Sequence, residues 1–474
     1  MNREEGQETA TDMEHGLIID CFCGGGGAST GIEQALRRPI DIGVNHDPEA
    51  LRLHAANHPQ TLHLEEDIFQ VDLKKYVDGR PVDFMWASPD CTHFSKAKGT
   101  KPLSKHIRSL PWAVYQHAKA INPSVVMMEN VEEITTWGDL DKNGRPVEKE
   151  KGKEYQKFMN AMKSLGYDSK TFILNAADYG APTTRTRWYA VFRKDGKGIM
   201  CPEPTHAKDP DLFGHARWKS CGDYIDWDDL GTSIFERAKP LAEKTCRRIA
   251  RGIYKFVINA KSPYIARHDD GTLVAAYIDK AYGGNYQGCG SSCSQPLHTI
   301  TAVDHSRLVS AFLIQYHSEM GSDVRGQSLD EPVRTIDTSN RYGLCTVDLD
   351  LTADADAQGH GSRDLVTAFL LKYYGQGTGQ RLDAPLGTIT TKDRFGLVSV
   401  LVDGREFVIS DIRLRMLKPE ELKLMQGFPA SYIIDKDKDG RPISKKDQVA
   451  KIGNSVCPEV AKALVEANCG YMMA

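Results

Sequence analysis

A cysteine and an acid–amide pair stand where this sequence can do chemistry. Cys91 follows the apolar run Phe84-Met-Trp-Ala-Ser-Pro89 and heads a polar loop, and Glu129-Asn130 ends the run Ser124-Val-Val-Met-Met. A thiol reacts as its thiolate and a neighbouring carboxyl can move a proton, so the pair suits covalent catalysis with acid assistance. Nearer the amino end, Leu17-Ile-Ile-Asp20-Cys-Phe22-Cys breaks into Gly24, Gly25, Gly26 and Gly27 and reopens with a helical pattern. Glycines at such a strand-to-helix turn accept positive φ and let a ligand approach the backbone, while the helix start offers unpaired N–H groups. A nucleotide-like cofactor fits there, and turns of this kind serve dinucleotides, phosphates and S-adenosylmethionine alike.

Three apolar runs must position these groups, each read as a strand that ends at a chemical residue. In an open α/β sheet the ligand site lies beyond the carboxyl ends of the strands, so glycine turn, thiol and acid face one crevice.

The order of blocks then resembles the cytosine-specific (carbon-5) DNA methyltransferases of bacterial and phage type. The resemblance continues through Tyr179-Gly180-Ala-Pro182-Thr-Thr-Arg185-Thr-Arg187, Gln426-Gly427-Phe428-Pro429 and Lys451-Ile-Gly453-Asn454-Ser455-Val456, so six blocks bracket residues 17 to 465. It implies an α/β fold, with a Rossmann-like S-adenosylmethionine-dependent methyltransferase domain on a mixed, mostly parallel sheet and a smaller β-rich target-recognition domain. It implies Cys91 as the nucleophile that adds to carbon 6 of cytosine, Glu129 as the acid at ring nitrogen 3, and Arg185 and Arg187 as orienting cations. For the cofactor, S-adenosylmethionine, it implies Phe22, Gly24, Gly26, Gly27, Asp67 at the adenine, Pro89, and Asn454, Ser455 and Val456 closing the pocket. Asp20 orders the turn or faces the methionine ammonium. Asn45 stands where the family has a ribose-binding glutamate, and Asn45 or Asp47 substitutes for it.

The base must leave the duplex to be reached, so a basic lid is expected. Between Cys91 and Met128 the chain carries Lys96, Lys98, Lys101, Lys105, Arg108 and Lys119 and no acidic residue, with Ser95 beside the first lysine. Ser95, Lys96 and Lys98 are therefore expected at DNA phosphates. Further on, a unit repeats three times. Ala276-Tyr-Ile, Ala311-Phe-Leu and Ala368-Phe-Leu each open one, and Gln295-Pro-Leu-His-Thr-Ile-Thr301, Glu331-Pro-Val-Arg-Thr-Ile-Asp337 and Ala384-Pro-Leu-Gly-Thr-Ile-Thr390 each continue it. Alternating β-branched residues read as strand, hairpin, strand. The resemblance makes this the recognition region, with Arg341 and Arg394 as DNA contacts. Before it, a helix from Pro240 to Gly252 carries Arg247, Arg248 and Arg251, either tracking phosphates or forming a solvated face.

With 474 residues and 40% apolar content the chain suits two or three domains with full cores. The expected division is a tail over 1–15, a catalytic cofactor-binding domain over 16–200, recognition over 201–408, and a segment returning to the catalytic domain over 409–474. Eleven scattered cysteines read as reduced thiols, no apolar stretch suits a membrane, and the expected location is cytoplasmic, at the nucleoid. A net charge of −4 means that DNA affinity must come from local basic surfaces. No metal is expected, because Cys289, Cys293 and His298 lack a second ligand pair at finger spacing. Partners are double-stranded DNA and, as an independent companion, a restriction endonuclease; the chain is expected to be a monomer. An RNA cytosine-5 methyltransferase, a DNA-binding relative without catalysis, and an NAD-linked oxidoreductase remain as other readings.

Overall fold

The computed structural model describes residues 15–90, 109–209, 214–234, 237–267, 273–281, 288, 290–303, 305–315, 399–402 and 405–473. The chain divides into two compact units, one of residues 1–225, 294–304 and 418–474, the other of 226–293 and 305–417.

The first unit is built on seven strands: β1 (Leu17–Cys21), β2 (Ile42–Asn45), β3 (Leu62–Glu65), β4 (Val82–Ala87), β5 (Val125–Asn130), β6 (Asp168–Asn175) and β7 (Thr186–Arg193). Their order is β3-β2-β1-β4-β5-β7-β6. Pairings among β1 to β5 are parallel, and β7 runs antiparallel to both β5 and β6. The sheet is therefore mixed and mostly parallel, as expected. After β2 and β3 have extended it to one side, the chain crosses to place β4 on the other side of β1. That reversal opens a crevice at the carboxyl ends of β1 and β4, where a ligand can sit.

Alternation along the strands fills both faces. Ile19, Met85, Val126 and Met128 pack under α4 (Leu110–Ile121) and α5 (Lys153–Ser164), beyond α1 (Gly27–Leu36), α2 (Pro48–Asn57) and α3 (Leu73–Val77) in the chain. Ile18, Phe84, Trp86 and Met127 pack under α1 and the C-terminal helix. Each fully buried large apolar side chain stabilises by about 1.5–3 kcal/mol, so the strand ends rest on a two-sided core. The unit also holds a short pair, β8 (His206–Ala207) with β9 (Ala216–Arg217), and three closing helices, α6 (Pro419–Met425), α7 (Lys445–Asn454) and α8 (Pro458–Cys469).

The second unit is an antiparallel sheet of β10 (Thr232–Ser233), β11 (Ile265–Arg267), β12 (Leu273–Lys280), β13 (Ser291–Ser292), β14 (Ser306–Gln315), β15 (Ser399–Val402) and β16 (Arg405–Met416). Its main order is β10-β16-β14-β12-β11. The helix Glu243–Ile253 lays Cys246, Ile249, Ala250 and Ile253 on Ala275, Tyr277, Val309 and Ile412. Two expectations change here. Arg248 does not reach out to phosphate or solvent, because its Nε donates to the fully buried Asp279 at 2.7 Å, whose other oxygen takes Arg307 Nε at 2.9 Å. The repeat opens as strands in β12 and β14, but its continuation over 295–301 is not a strand and belongs to the first unit. The third repeat lies outside the described residues. Among the described residues no helix is long and apolar enough to cross a membrane.

Candidate active site

Asp20 is the penultimate residue of β1, which ends at Cys21, and the chain then turns through Phe22, a non-glycine residue at φ 66°, Gly24 at φ 52° and Gly26 at φ 79°. Left-handed backbone costs an ordinary side chain roughly 1–2 kcal/mol, so the Phe22 conformation is strain held by its surroundings. The glycines divide by what faces them. A Cβ on Gly27 would stand 2.0 Å from the Val456 carbonyl oxygen and one on Gly26 2.2 Å from the Tyr432 hydroxyl, so protein atoms fill both places. Among the described residues, one on Gly24 would meet only the Phe22 carbonyl oxygen, at 3.6 Å, leaving that side of the turn open to them.

Asp20 is fully buried, accepts from the Ser29 hydroxyl at 2.6 Å through Oδ2, and among the described residues has no partner for Oδ1. Burial pushes its carboxyl up to about 7, against the pull of the Ser29 hydrogen bond. Behind it runs a polar chain: His54 Nε2 lies 2.9 Å from Ser29 Oγ, and His54 Nδ1 2.8 Å from His63 Nε2. Burial lowers both histidines, His54 well below its ordinary value, so His54 is neutral. Cys21 and Cys23 are buried thiols pushed up by burial and by Asp20, which suits packing rather than nucleophilic work.

At the end of β2, Asn45 Oδ1 accepts from the Asp47 N–H at 2.9 Å. Asp47 is committed elsewhere: Oδ1 caps α2 by accepting from the N–H groups of Glu49 and Ala50, and Oδ2 takes the Lys451 ammonium. Of the two residues expected at the ribose, Asn45 spends its Oδ1 on the Asp47 N–H, and Asp47 spends both carboxylate oxygens on the start of α2 and on Lys451. Asp67 accepts from the Phe69 N–H at 2.8 Å, which fixes the turn after β3. Pro89 is buried beyond β4. From the far end, Ser455 is buried with its hydroxyl on the Lys451 carbonyl and its own carbonyl taking Gln426 Nε2 at 2.9 Å, Val456 is buried, and Asn454 is exposed. An unpartnered buried carboxylate oxygen beside an open turn fits a cationic nucleotide-like donor.

Glu129 is the penultimate residue of β5 and only 6% exposed, so its polar partners must come from protein. Its Oε1 lies 3.2 Å from Arg187 Nε and 4.0 Å from Arg185 Nη2. Both arginines come from the entry to β7, the strand antiparallel to β5. Asn130 Nδ2 donates to the Pro89 carbonyl at 3.0 Å, tying the end of β5 to the end of β4. The structure thus gathers Asp20, Phe22 and the glycines at one strand end and Glu129, Arg185 and Arg187 at another, within one sheet. Cys91, Ser95, Lys96, Lys98, Cys289, Arg341 and Arg394 lie outside the described residues.

Sequence reasoning missed Ser29, Lys451 and Tyr432, whose hydroxyl donates to the Gly25 carbonyl at 2.8 Å. Ser29 had a legible signal, a hydroxyl in the first turn of the helix that follows Asp20. Lys451 and Tyr432 had none, since their partners are set by tertiary packing.

Over 195 residues the chain is 30% identical to the Type II methyltransferase M1.HphI of Haemophilus parahaemolyticus, a match covering 40% of this chain and 49% of that protein. It is 28% identical over 207 residues to the Type II methyltransferase M.AquIA of Picosynechococcus sp., covering 42% of this chain and 82% of that one. The crystal structure of a mutant Spodoptera frugiperda DNMT2 superposes over 95% of this chain and 99% of its own, with a TM-score of 0.49 and 16% identity. The family model for C-5 cytosine-specific DNA methylases matches residues 17–225 and 369–469, which contain every strand of the seven-stranded sheet and the three closing helices, and the chain belongs to that family.

Proposed function

We propose that the protein methylates carbon 5 of cytosine within a specific sequence of double-stranded DNA, with S-adenosylmethionine as donor and Cys91 as covalent nucleophile. The observation that carries this reading is Glu129, buried between Arg187 and Arg185 on a strand end that Asn130 ties to Pro89, two residues ahead of Cys91. S-Adenosylmethionine, when bound, supplies an electrophilic methyl group. Asp20 Oδ1 would take its ammonium, Asn45 its ribose and Asp67 its adenine amine, beside the open side of Gly24, with the segment 454–456 closing over it.

Carbon 5 of cytosine is a poor nucleophile until electrons enter the ring. The Cys91 thiolate adds at carbon 6, forming the C–S bond and placing charge at ring nitrogen 3. Glu129 hydrogen-bonds that nitrogen and protonates it as the charge develops, and Arg187 and Arg185 hold Glu129 and the base carbonyl in register. Carbon 5 of the enamine would take the methyl group that bound S-adenosylmethionine supplies, with S-adenosylhomocysteine as the leaving group. Loss of the carbon-5 proton to water, return of the nitrogen-3 proton to Glu129 and cleavage of the C–S bond then restore the ring and return the thiolate. Cytosine is reached by flipping it from the stack, with Ser95, Lys96 and Lys98 on phosphates and the second unit, including Arg341 and Arg394, as the recognition part. The relatives' names, Type II methyltransferases, support a restriction-modification setting; an independently acting companion nuclease, a monomeric state and a cytoplasmic location are part of the proposal.

The test is nucleoside analysis of duplex DNA after incubation with protein and labelled S-adenosylmethionine, with transfer RNA as competitor. The expected product is 5-methylcytosine in DNA, undiminished by the RNA. Label confined to adenine, to the exocyclic amine of cytosine or to the RNA overturns the reading.

A further inference from the structure

The continuation of the first repeat leaves the β-rich unit after Cys293 and returns to it at His305, and in between it is part of the catalytic unit. It is stitched there by main-chain bonds. The Leu297 N–H donates to the Pro182 carbonyl at 2.9 Å, Thr184 N–H to the Leu297 carbonyl at 2.7 Å, and Cys221 N–H to the Gln295 carbonyl at 3.0 Å. The Thr183 hydroxyl adds a bond to the His298 carbonyl at 3.3 Å. Leu297 and Ile300 are almost wholly buried, so the stretch is anchored by its own side chains.

What it holds is Arg185. Arg185 Nη1 donates to the Ile300 carbonyl at 3.3 Å and to the Gly453 carbonyl at 3.0 Å, while Nη2 faces Glu129 at 4.0 Å. A guanidinium is planar, so two carbonyls on one nitrogen fix the direction in which the other points. Gly453 completes the fit, since a Cβ there would stand 2.2 Å from the Thr301 carbonyl oxygen. A lysine at 185 would keep the charge and lose the plane.

We infer that residues 295–301 are a strut that positions Arg185 against Glu129, with Leu297 as its anchor and the Ile300 carbonyl as its working end. This rests on the methyltransferase reading of the same site. The strut is continuous on both sides with strands β13 and β14, so the alignment of a catalytic arginine is built from recognition-repeat sequence. Leu297 and Thr183 are positioning residues; they act through Arg185.

The experiment is a double-mutant cycle on the full chain, reading single-turnover 5-methylcytosine formation at saturating duplex DNA and S-adenosylmethionine, with donor affinity measured by calorimetry. Leu297→Ala is expected to slow the chemical step tenfold or more and to change the donor Kd less than twofold. In an Arg185→Lys background the same substitution should cost no more than twofold, because the arginine it serves is gone. Equal losses in both backgrounds, an unchanged rate, or a parallel loss of donor binding overturns the strut. If Leu297→Ala does not fold by thermal melting, the isosteric Thr183→Val carries the same cycle with a loss of about threefold expected. A wild-type chain that forms no 5-methylcytosine fails the reading itself, which is distinct from an active wild type with additive variants.

Discussion

Glu129 and Arg187 meet across the junction of β5 and β7, carboxylate oxygen to guanidinium Nε at 3.2 Å, with both side chains largely withdrawn from water. Breaking a buried pair from one side leaves a desolvated charge, and that penalty is roughly 3–5 kcal/mol. Arg187→Ala should therefore lower stability by about 3 kcal/mol and slow methyl transfer at least a hundredfold, since the remaining carboxylate also loses its orientation. Melting and single-turnover rates together check this, and a variant as stable and as fast as wild type contradicts the pairing.

Asp20 gives a prediction with a fixed sign. Its carboxyl is raised from 3.8 to about 7, so between those values the folded chain holds a proton that the unfolded chain has lost. Stability therefore falls as pH rises from about 4 to about 7 and is level above, by an upper bound of about 4 kcal/mol for this group. Asp20→Asn should remove that decline and melt higher than wild type at pH 8. The same variant should bind S-adenosylmethionine more weakly, and the wild-type gain in affinity on raising pH through about 7 should vanish. Parallel pH profiles of wild type and variant in melting and calorimetry contradict the assignment.

Gly27→Ala drives a methyl group into the Val456 carbonyl. Overpacking of this kind costs typically 1–3 kcal/mol, here by prising α1 from the segment 454–456, which we propose closes the donor pocket. Donor affinity should fall about tenfold with stability, measured by calorimetry and melting. Gly24→Ala strains the turn without that collision, so affinity retained in Gly27→Ala and lost in Gly24→Ala contradicts the division of the glycines.

In the β-rich unit Asp279 is fully buried between Arg248 and Arg307. Asp279→Asn should destabilise that unit by roughly 3 kcal/mol and expose it to protease ahead of the seven-stranded unit. Limited proteolysis with mass mapping checks the order, and a protease pattern identical to wild type argues against the cluster as a structural tie.

Much of the seven-stranded unit was legible because each chemical residue ends an apolar run, and an apolar run ending in Gly, Pro or a carboxylate has few other solutions in an α/β chain. Asp20, Pro89 and Glu129 needed nothing more than that. Tertiary partners were not legible. Arg248 looks solvent-facing in sequence until the sheet brings Asp279 beneath it. Asp47 looks free until the far end of the chain delivers Lys451. Residues 295–301 alternate as a strand should, yet periodicity states only which side chains share a face, and the stretch spends its backbone on Pro182, Thr184 and Arg185 instead of a sheet. The glycine cluster was read as ligand space, whereas two of its members exist for Val456 and Tyr432.

The most direct measurement is covalent capture on duplex DNA carrying 5-fluorocytosine in place of cytosine, in the presence of S-adenosylmethionine. With fluorine at carbon 5 no proton can leave, so the C–S bond should persist and the wild-type chain should run as a stable protein–DNA adduct whose mass maps to Cys91. Cys91→Ala should bind donor as wild type does and form none. An adduct on another residue, or methylation undiminished in Cys91→Ala, would contradict the account at its centre.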